Sequence, residues 1–231
     1  MKPLFDRMRR VSVIPRFAYE TFTVLVITVG ALPSIAETRT FRTVPNDDKN
    51  IVQFVSNATL ERIIGRTSAI SGSIDLNLED VSAATKGSFE VDLRTVDTGI
   101  AMRNQDMRTN YLETDKFPTA KFRLIRIDSA DAKELLPGQT VNVVADGEFT
   151  VHGTGKVYQV PITLTYLPAS SDPQTSERLP GGGGDLISVT AEWSLKLADH
   201  GIMRPSFLFM RLAEEQVISV AFVLTDKIPA R

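Results

Sequence analysis

The chain contains no cysteine among its 231 residues, two histidines and a single tryptophan. Without thiols it can form no disulfide, offer no thiolate nucleophile and carry no lipid on an N-terminal cysteine. His152 and His200 are not set in the close cluster of histidines and carboxylates that a metal site needs. A Gly-x-Ser-x-Gly nucleophile elbow is also missing, and neither histidine comes with a nucleophile and an orienting acid in a recognisable motif. Gly153-Thr154-Gly155-Lys156 has the look of a phosphate-binding loop, but Thr150 stands where its first glycine belongs and Val157 follows the lysine. No catalytic residue, cofactor or metal is therefore expected. Strong charge of one sign is equally lacking. The formal net charge is -2, and the residues after Ala36 carry -5, so nothing electrostatic favours nucleic acid as a partner.

Basic residues do concentrate at the N-terminus, where Lys2, Arg7, Arg9, Arg10 and Arg16 precede an apolar run from Phe22 to Ile35. Ser34-Ile35-Ala36 places small residues at the two positions a signal peptidase reads. The run is shorter than the ~20 residues of a spanning helix and is interrupted by Gly30 and Pro33. Residues 1–36 are expected to be a cleaved export signal and residues 37–231 a single domain in the periplasm or outside the cell. A retained anchor is the other reading. Arg9-Arg10 is a weak sign of twin-arginine export, because Val11-Ser12-Val13 lacks the apolar pattern that should follow.

Beyond residue 40 the dominant signal is alternation with a period of two, the mark of a half-buried strand. Phe89, Val91 and Leu93 share one face, while Glu90, Asp92 and Arg94 share the other. Phe149 and Val151 fall inward, as do Ile162, Leu164 and Tyr166 on the next segment and Trp193 and Leu195 on a later one. Strands are also expected at Phe41 to Val44, Ile51 to Val55 (with Phe54), Ile70 to Leu78, Ser206 to Leu212 and Val217 to Thr225. From Lys121 to Ile127, a strand with Phe122 inward, the phase slips between Leu124 and Ile125, as a β-bulge would require. Ser129 to Leu136 reads as a helical turn. Pro168 to Asp185, rich in glycine, proline and serine, reads as a solvated loop. The fold class is all-β and mainly antiparallel: about eight long strands in a barrel whose interior is either filled or holds one ligand.

Between two of these strands the period changes. After Asp97-Thr98-Gly99, Ile100, Met107 and Tyr111 recur at helical spacing until Phe117-Pro118 stops them, which predicts a short helical lid over one mouth of the barrel. Arg103, Asp106 and Arg108 are its polar candidates, either for holding the lid down or for meeting a ligand's head group. His152-Gly153 reads as a structural turn.

Two separated stretches resemble the YceI-like family, lipocalin-like proteins named for binding polyisoprenoids. One runs from Val91 through Asp97-Thr98-Gly99, Arg103, Asp106-Met107-Arg108, Tyr111-Leu112-Glu113 and Lys116-Phe117-Pro118 to Phe122. The other is Gly147 to Gly153 with Lys156 and Val160 to Leu164, and the similarity extends from about Phe41 to Thr225. Asn104 and His200 depart from the pattern, which usually has aspartate after Arg103 and an aromatic before Gly201. The resemblance implies an eight-stranded lipocalin-like barrel that binds, sequesters or transports a long-chain isoprenoid, quinone-like or related lipid. The expected pocket wall is then Phe54, Phe89, Val91, Leu93 and Phe122, with Phe149, Val151, Ile162, Leu164, Tyr166, Trp193 and Leu195. Arg103, Asp106, Met107, Arg108 and Tyr111 form the lid or head-group set. A transient membrane or membrane-protein contact would serve lipid exchange, and the oligomeric state stays open. The alternatives are a hydrolase or other enzyme acting on a lipid-like substrate, and an outer-membrane or structural barrel. Glu90, Asp92, Asp146, Glu148, Glu192 and Lys196 on the outward face argue against lipid outside.

The N-terminal reading yields a direct test. Sequencing of the exported protein is expected to start at Glu37, and full-length chain in the membrane fraction would instead indicate a retained anchor.

Overall fold

The computed structural model describes residues 37–44, 47–58, 60–83, 85–169, 183–207 and 210–227. The expected export signal and residues 170–182 of the glycine-rich loop lie outside them. No helix among the described residues is long and apolar enough to cross a membrane.

Among the described residues twelve strands form in chain order. The first five are β1 (Thr38–Thr43), β2 (Ile51–Asn57), β3 (Arg62–Thr67), β4 (Ile70–Asn77) and β5 (Lys86–Asp92). The short helix α1 (Ala101–Asp106) separates these from β6 (Thr119–Ala130), β7 (Thr140–Val151), β8 (Thr154–Leu167) and β9 (Leu186–Lys196). The two-residue strands β10 (Ser206–Phe207) and β11 (Met210–Arg211) precede β12 (Glu215–Thr225). β1, β4, β5, β6, β7, β8, β9 and β12 follow one another around a closed antiparallel barrel, and pairing of β1 with β12 completes the ring. Closure leaves none of these eight positions as an exposed edge.

β12 serves two partners along its length. Its C-terminal end meets β1, at Arg42↔Thr225, and its N-terminal half meets β2, from Val217↔Val55 to Ala221↔Ile51. The wall therefore passes from β1 and β4 at one end to β2 and β3 at the other. The outer edge of β3 is tied to the chain leading into α1: Arg66 and Asp97 exchange two backbone hydrogen bonds of 2.9 Å.

The structure corrects the sequence reading in three places. Arg62–Thr67 is a strand that was not expected, although Ile63 and Thr67 alternate inward with exposed Arg62 and Arg66. The described part of Ser206 to Leu212 forms the two short strands β10 and β11, paired to each other, and residues 208 and 209 lie outside the described residues. Ser129 to Leu136 is no helical turn, because β6 continues to Ala130 and the chain then crosses the barrel end. The bulge between Leu124 and Ile125 is present as a register shift between Leu124 and Arg126, followed by another between Ile127 and Ser129. It keeps Leu124 and Ile127 buried while Ile125 turns outward.

Far from α1 the barrel is packed solid. Phe41, Leu76, Val141, Ile187 and Leu224 are wholly buried there. Two loops cork this end: Val81 N–H donates to Lys133 O at 2.9 Å, Leu135 N–H donates to Leu78 O at 2.8 Å, and the side chains of Val81 and Leu135 are buried. A polar clasp surrounds the cork. Arg39 donates to Asp185 at 2.8 Å and also to Asp226, Tyr166 OH donates to Asp185, and the Asp185 N–H donates to Asp226 at 2.8 Å. Burial pushes the Asp185 carboxyl up, but hydrogen bonds from Tyr166, the Ala169 N–H and Arg39 outweigh it and hold the group below its ordinary range.

Leu164→Ala should cost about 2–5 kcal/mol in urea unfolding, because its side chain is enclosed by a filled core. Ile162→Ala should cost less, since that side chain borders open space. Asp185 is less readily protonated folded than unfolded, so its contribution is complete above its unfolded pKa of ~3.9 and is lost as pH falls through the lower folded value. Melting curves of Asp185→Asn should therefore show lower stability at neutral pH and a shallower decline toward acid.

Candidate ligand cavity

Inward-facing residues behave differently in the half of the barrel near α1. Phe54, Phe89, Val91, Phe122, Phe149 and Trp193 point inward and yet are only half buried. The reason is a cavity of about 800 Å³ whose wall is almost wholly apolar. Ile70, Val189 and Phe222 belong both to the packed core and to the cavity, and so form its floor. Phe89 and Phe222 pack there with ring centroids 5.2 Å apart. Higher up, an aromatic belt crosses the wall: Phe122 and Phe149 flank Trp193 at 6.2 and 5.5 Å.

Each expected wall residue can now be placed. Phe54, Phe89, Val91, Leu93 and Phe122 line the cavity, as do Phe149, Val151, Ile162, Trp193 and Leu195. Leu164 and Tyr166 do not; they lie below the floor, Leu164 within the filled core and Tyr166 with its hydroxyl in the clasp. Inward parity is shared by both sets, and only depth along the barrel axis separates wall from core. Among residues that the sequence reading passed over, Ile63 and Thr67 come from β3, Ile218, Val220 and Phe222 from β12, and Ile202 from the segment after Gly201. In β12 the run Val217 to Leu224 is nearly continuous in apolar residues, so its inward side carried no readable alternation. The inward side of β3 was readable in principle from Ile63, Gly65 and Thr67.

The lid forms where helical spacing was expected. A 3-10 turn (Leu93–Thr95), α1 and a wide turn (Met107–Tyr111) cross the mouth before β6 begins. Ile100, Met102, Met107, Tyr111 and Leu112 face the cavity from it, and Ile202, Pro205 and Leu212 face it from across the mouth. The lid is held by its polar residues. Asn104, buried, accepts from the Thr98 N–H at 2.8 Å and hydroxyl at 2.7 Å, and donates to Asp97 at 2.6 Å. The Gly99 N–H and the Asn104 amide keep the Asp97 carboxyl below its ordinary range. Arg103 lines the cavity, but it donates to Thr98 Oγ1 at 2.9 Å, to Thr98 O at 2.8 Å and to Glu61 at 3.1 Å, which bridges the lid to the β2–β3 turn. Asp106 also lines the cavity and accepts from Asn110 at 2.6 Å. Arg108 is not on the cavity wall; it reaches back to Val96 O at 2.9 Å.

Both histidines stabilise the same end. His200 is fully buried; its Nδ1 lies 2.9 Å from Thr154 O, which can only accept, so Nδ1 donates there, and Nε2 lies 2.8 Å from Tyr158 OH. His152 and Gly153 both have positive φ, +52° and +74°, and close the tight β7–β8 hairpin. From that turn the His152 ring lies 3.2 Å from Glu113, just after the lid, and packs edge-on against Phe117. Among the described residues no group of three or more His, Asp or Glu is placed to hold a metal ion.

The same architecture occurs in solved structures. A polyisoprenoid binding domain from Saccharophagus degradans implicated in plant cell wall breakdown superposes with a TM-score of 0.59 at 17% identity, over 82% of this chain and 99% of its own. BcnA of Burkholderia cenocepacia gives 0.56 at 17% identity, over 76% of this chain and 96% of its own. A Campylobacter jejuni YceI protein gives 0.51 at 13% identity, over 71% and 84%. No curated protein gives a significant match to the sequence. The model of the YceI-like domain matches residues 44–224, which takes in the barrel, its lid and both motif stretches, and so the chain belongs to the YceI-like family.

Proposed function

We propose that the protein is an exported carrier that encloses a long-chain isoprenoid or related lipid in its barrel and moves it by sequestration, without chemical change. The observation that carries this reading is the lidded, apolar cavity of about 800 Å³, at the upper end of the ~300–1,000 Å³ typical of small-molecule sites. Each methylene transferred from water to such a wall contributes ~0.8 kcal/mol gross, so a chain of a few isoprene units supplies enough driving force to offset the costs of association. The charged groups on the described wall, Glu61, Arg103 and Asp106, all sit at the lid end, where a polar head would come to rest beside them. The binding activity named for the Saccharophagus degradans domain of the same fold supports this ligand class. The basic and apolar N-terminus supports export, and the exposed Ile100 and Met102 at the mouth suit a brief contact with a membrane during lipid exchange.

Native mass spectrometry of the purified protein, followed by analysis of extracted lipid, tests the reading. A bound isoprenoid or acyl lipid is expected, and Leu195→Trp should abolish it while the protein stays folded, because the added ring takes up cavity space beside Trp193. Outward Ser194→Ala should change neither lipid content nor melting temperature. A parent protein with no lipid, joined to a loss of ~1–3 kcal/mol in Leu195→Trp, would overturn the carrier reading in favour of a packed barrel.

A further inference from the structure

Aromatic side chains from several strands line the cavity, and two of them, Phe122 and Phe54, lie over glycines. A Cβ on Gly147 of β7 would stand 2.1 Å from Cζ, 2.3 Å from Cε2 and 3.0 Å from Cε1 of Phe122. A Cβ on Gly65 of β3 would stand 2.1 Å from Cε1, 2.6 Å from Cζ and 2.8 Å from Cδ1 of Phe54. In each case the three nearest atoms belong to one ring, so the ring lies flat over the glycine. Phe54 and Gly65 are direct partners across β2 and β3, and Phe122 leans onto Gly147 from its position two residues before Leu124, the partner of that glycine.

Backbone conformation does not explain either glycine. Both sit inside regular strands without positive φ. Gly72 and Gly153 differ: at Gly72 a Cβ would meet Ser88 O at 2.3 Å, and Gly153 holds a φ of +74° that its turn requires. At Gly65 and Gly147 the three atoms that a methyl group would meet most closely all belong to one aromatic ring.

We infer that Gly147 and Gly65 set the bore of the cavity, and thereby the length and breadth of lipid chain that the barrel admits. The inference deepens the carrier reading and rests on it. With a Cβ at Gly147, the Phe122 ring must leave the wall. Its neighbours along the wall are Trp193, 6.2 Å away, and Phe149, which itself packs on Trp193, so the direction left open is the lumen. A ring turned inward there divides the cavity at the aromatic belt. Phe54 packs with Leu93, Val96 and Ile202 near the lid, so its displacement by a Cβ at Gly65 narrows the entrance instead. Gly147 thus governs reach toward the floor, and Gly65 governs admission.

Trp193, the single tryptophan of the chain, lines the cavity and reports its filling by fluorescence. Delipidated wild-type protein, Gly147→Ala, and Gly147→Ala combined with Phe122→Ala are titrated with farnesol, geranylgeraniol and solanesol. Gly147→Ala is expected to weaken solanesol by about tenfold or more while farnesol changes by less than about twofold, and the added Phe122→Ala to restore solanesol. Unchanged solanesol binding in Gly147→Ala, or no recovery in the double variant, overturns the inference. If wild-type protein takes up none of the three alcohols, the carrier reading fails by itself. The ring displacement is then read from the Trp193 indole N–H resonance: a shift in Gly147→Ala that reverts in the double variant supports the niche, and an unmoved resonance refutes it. Should Gly147→Ala not fold, Gly65→Ala with Phe54→Ala as its relief carries the same comparison, with all three alcohols expected to bind more slowly.

Discussion

Closure of the sheet by pairing β1 to β12 is the constraint from which the remaining features follow. Once eight positions are joined in a ring, every strand has an inside and an outside, and the space inside is fixed by strand number and tilt rather than by the side chains that happen to face it. An open sheet can relax to fit its core. A closed one leaves whatever its inward residues do not fill, because the hydrogen-bonded wall cannot collapse inward without breaking its ladder.

The chain answers this constraint differently at its two ends. At the clasped end, Phe41, Leu76, Ile187 and Leu224 fill the bore, and Val81 and Leu135 are brought in from loops to cork it. At the lidded end, aromatic rings of comparable bulk are laid against the wall, two of them over glycines, and the centre stays open. The stability of the fold and the capacity to enclose a ligand are therefore separated along one axis. Stabilising contacts concentrate where no ligand needs to go.

The lid depends on polar groups as well as on apolar burial, in which Leu93 and Val96 pack with Ala120, Val151 and Ile202. Its helix is too short to be stable alone. Buried Asn104, the Arg103–Thr98 and Arg103–Glu61 contacts and the backbone pair between Arg66 and Asp97 hold it to β3 and to the β2–β3 turn. Glu113 and His152 fasten the segment that follows it. Such an arrangement can part at the mouth without disturbing the filled core, since none of these contacts passes through the floor.

The sequence determined which side of each alternating strand faces inward, where the lid interrupts the strands, and that β6 carries a bulge. These are local properties: side-chain direction in a strand follows from a period of two, and a break in that period is visible wherever polar and apolar residues alternate. It left β3 unassigned although the alternation of Ile63, Gly65 and Thr67 was there, and it could not resolve β12, where apolar residues on both sides hide the period. Depth was beyond it altogether. Ile162 and Leu164 have the same parity on the same strand, yet one borders the cavity and the other the packed core. The tertiary structure decided that difference, along with the turning of Arg108 toward Val96 and the seating of Phe54 and Phe122 on glycines from neighbouring strands. Each depends on what the closed sheet places opposite a residue, and contacts between strands distant in sequence leave no period in the chain itself.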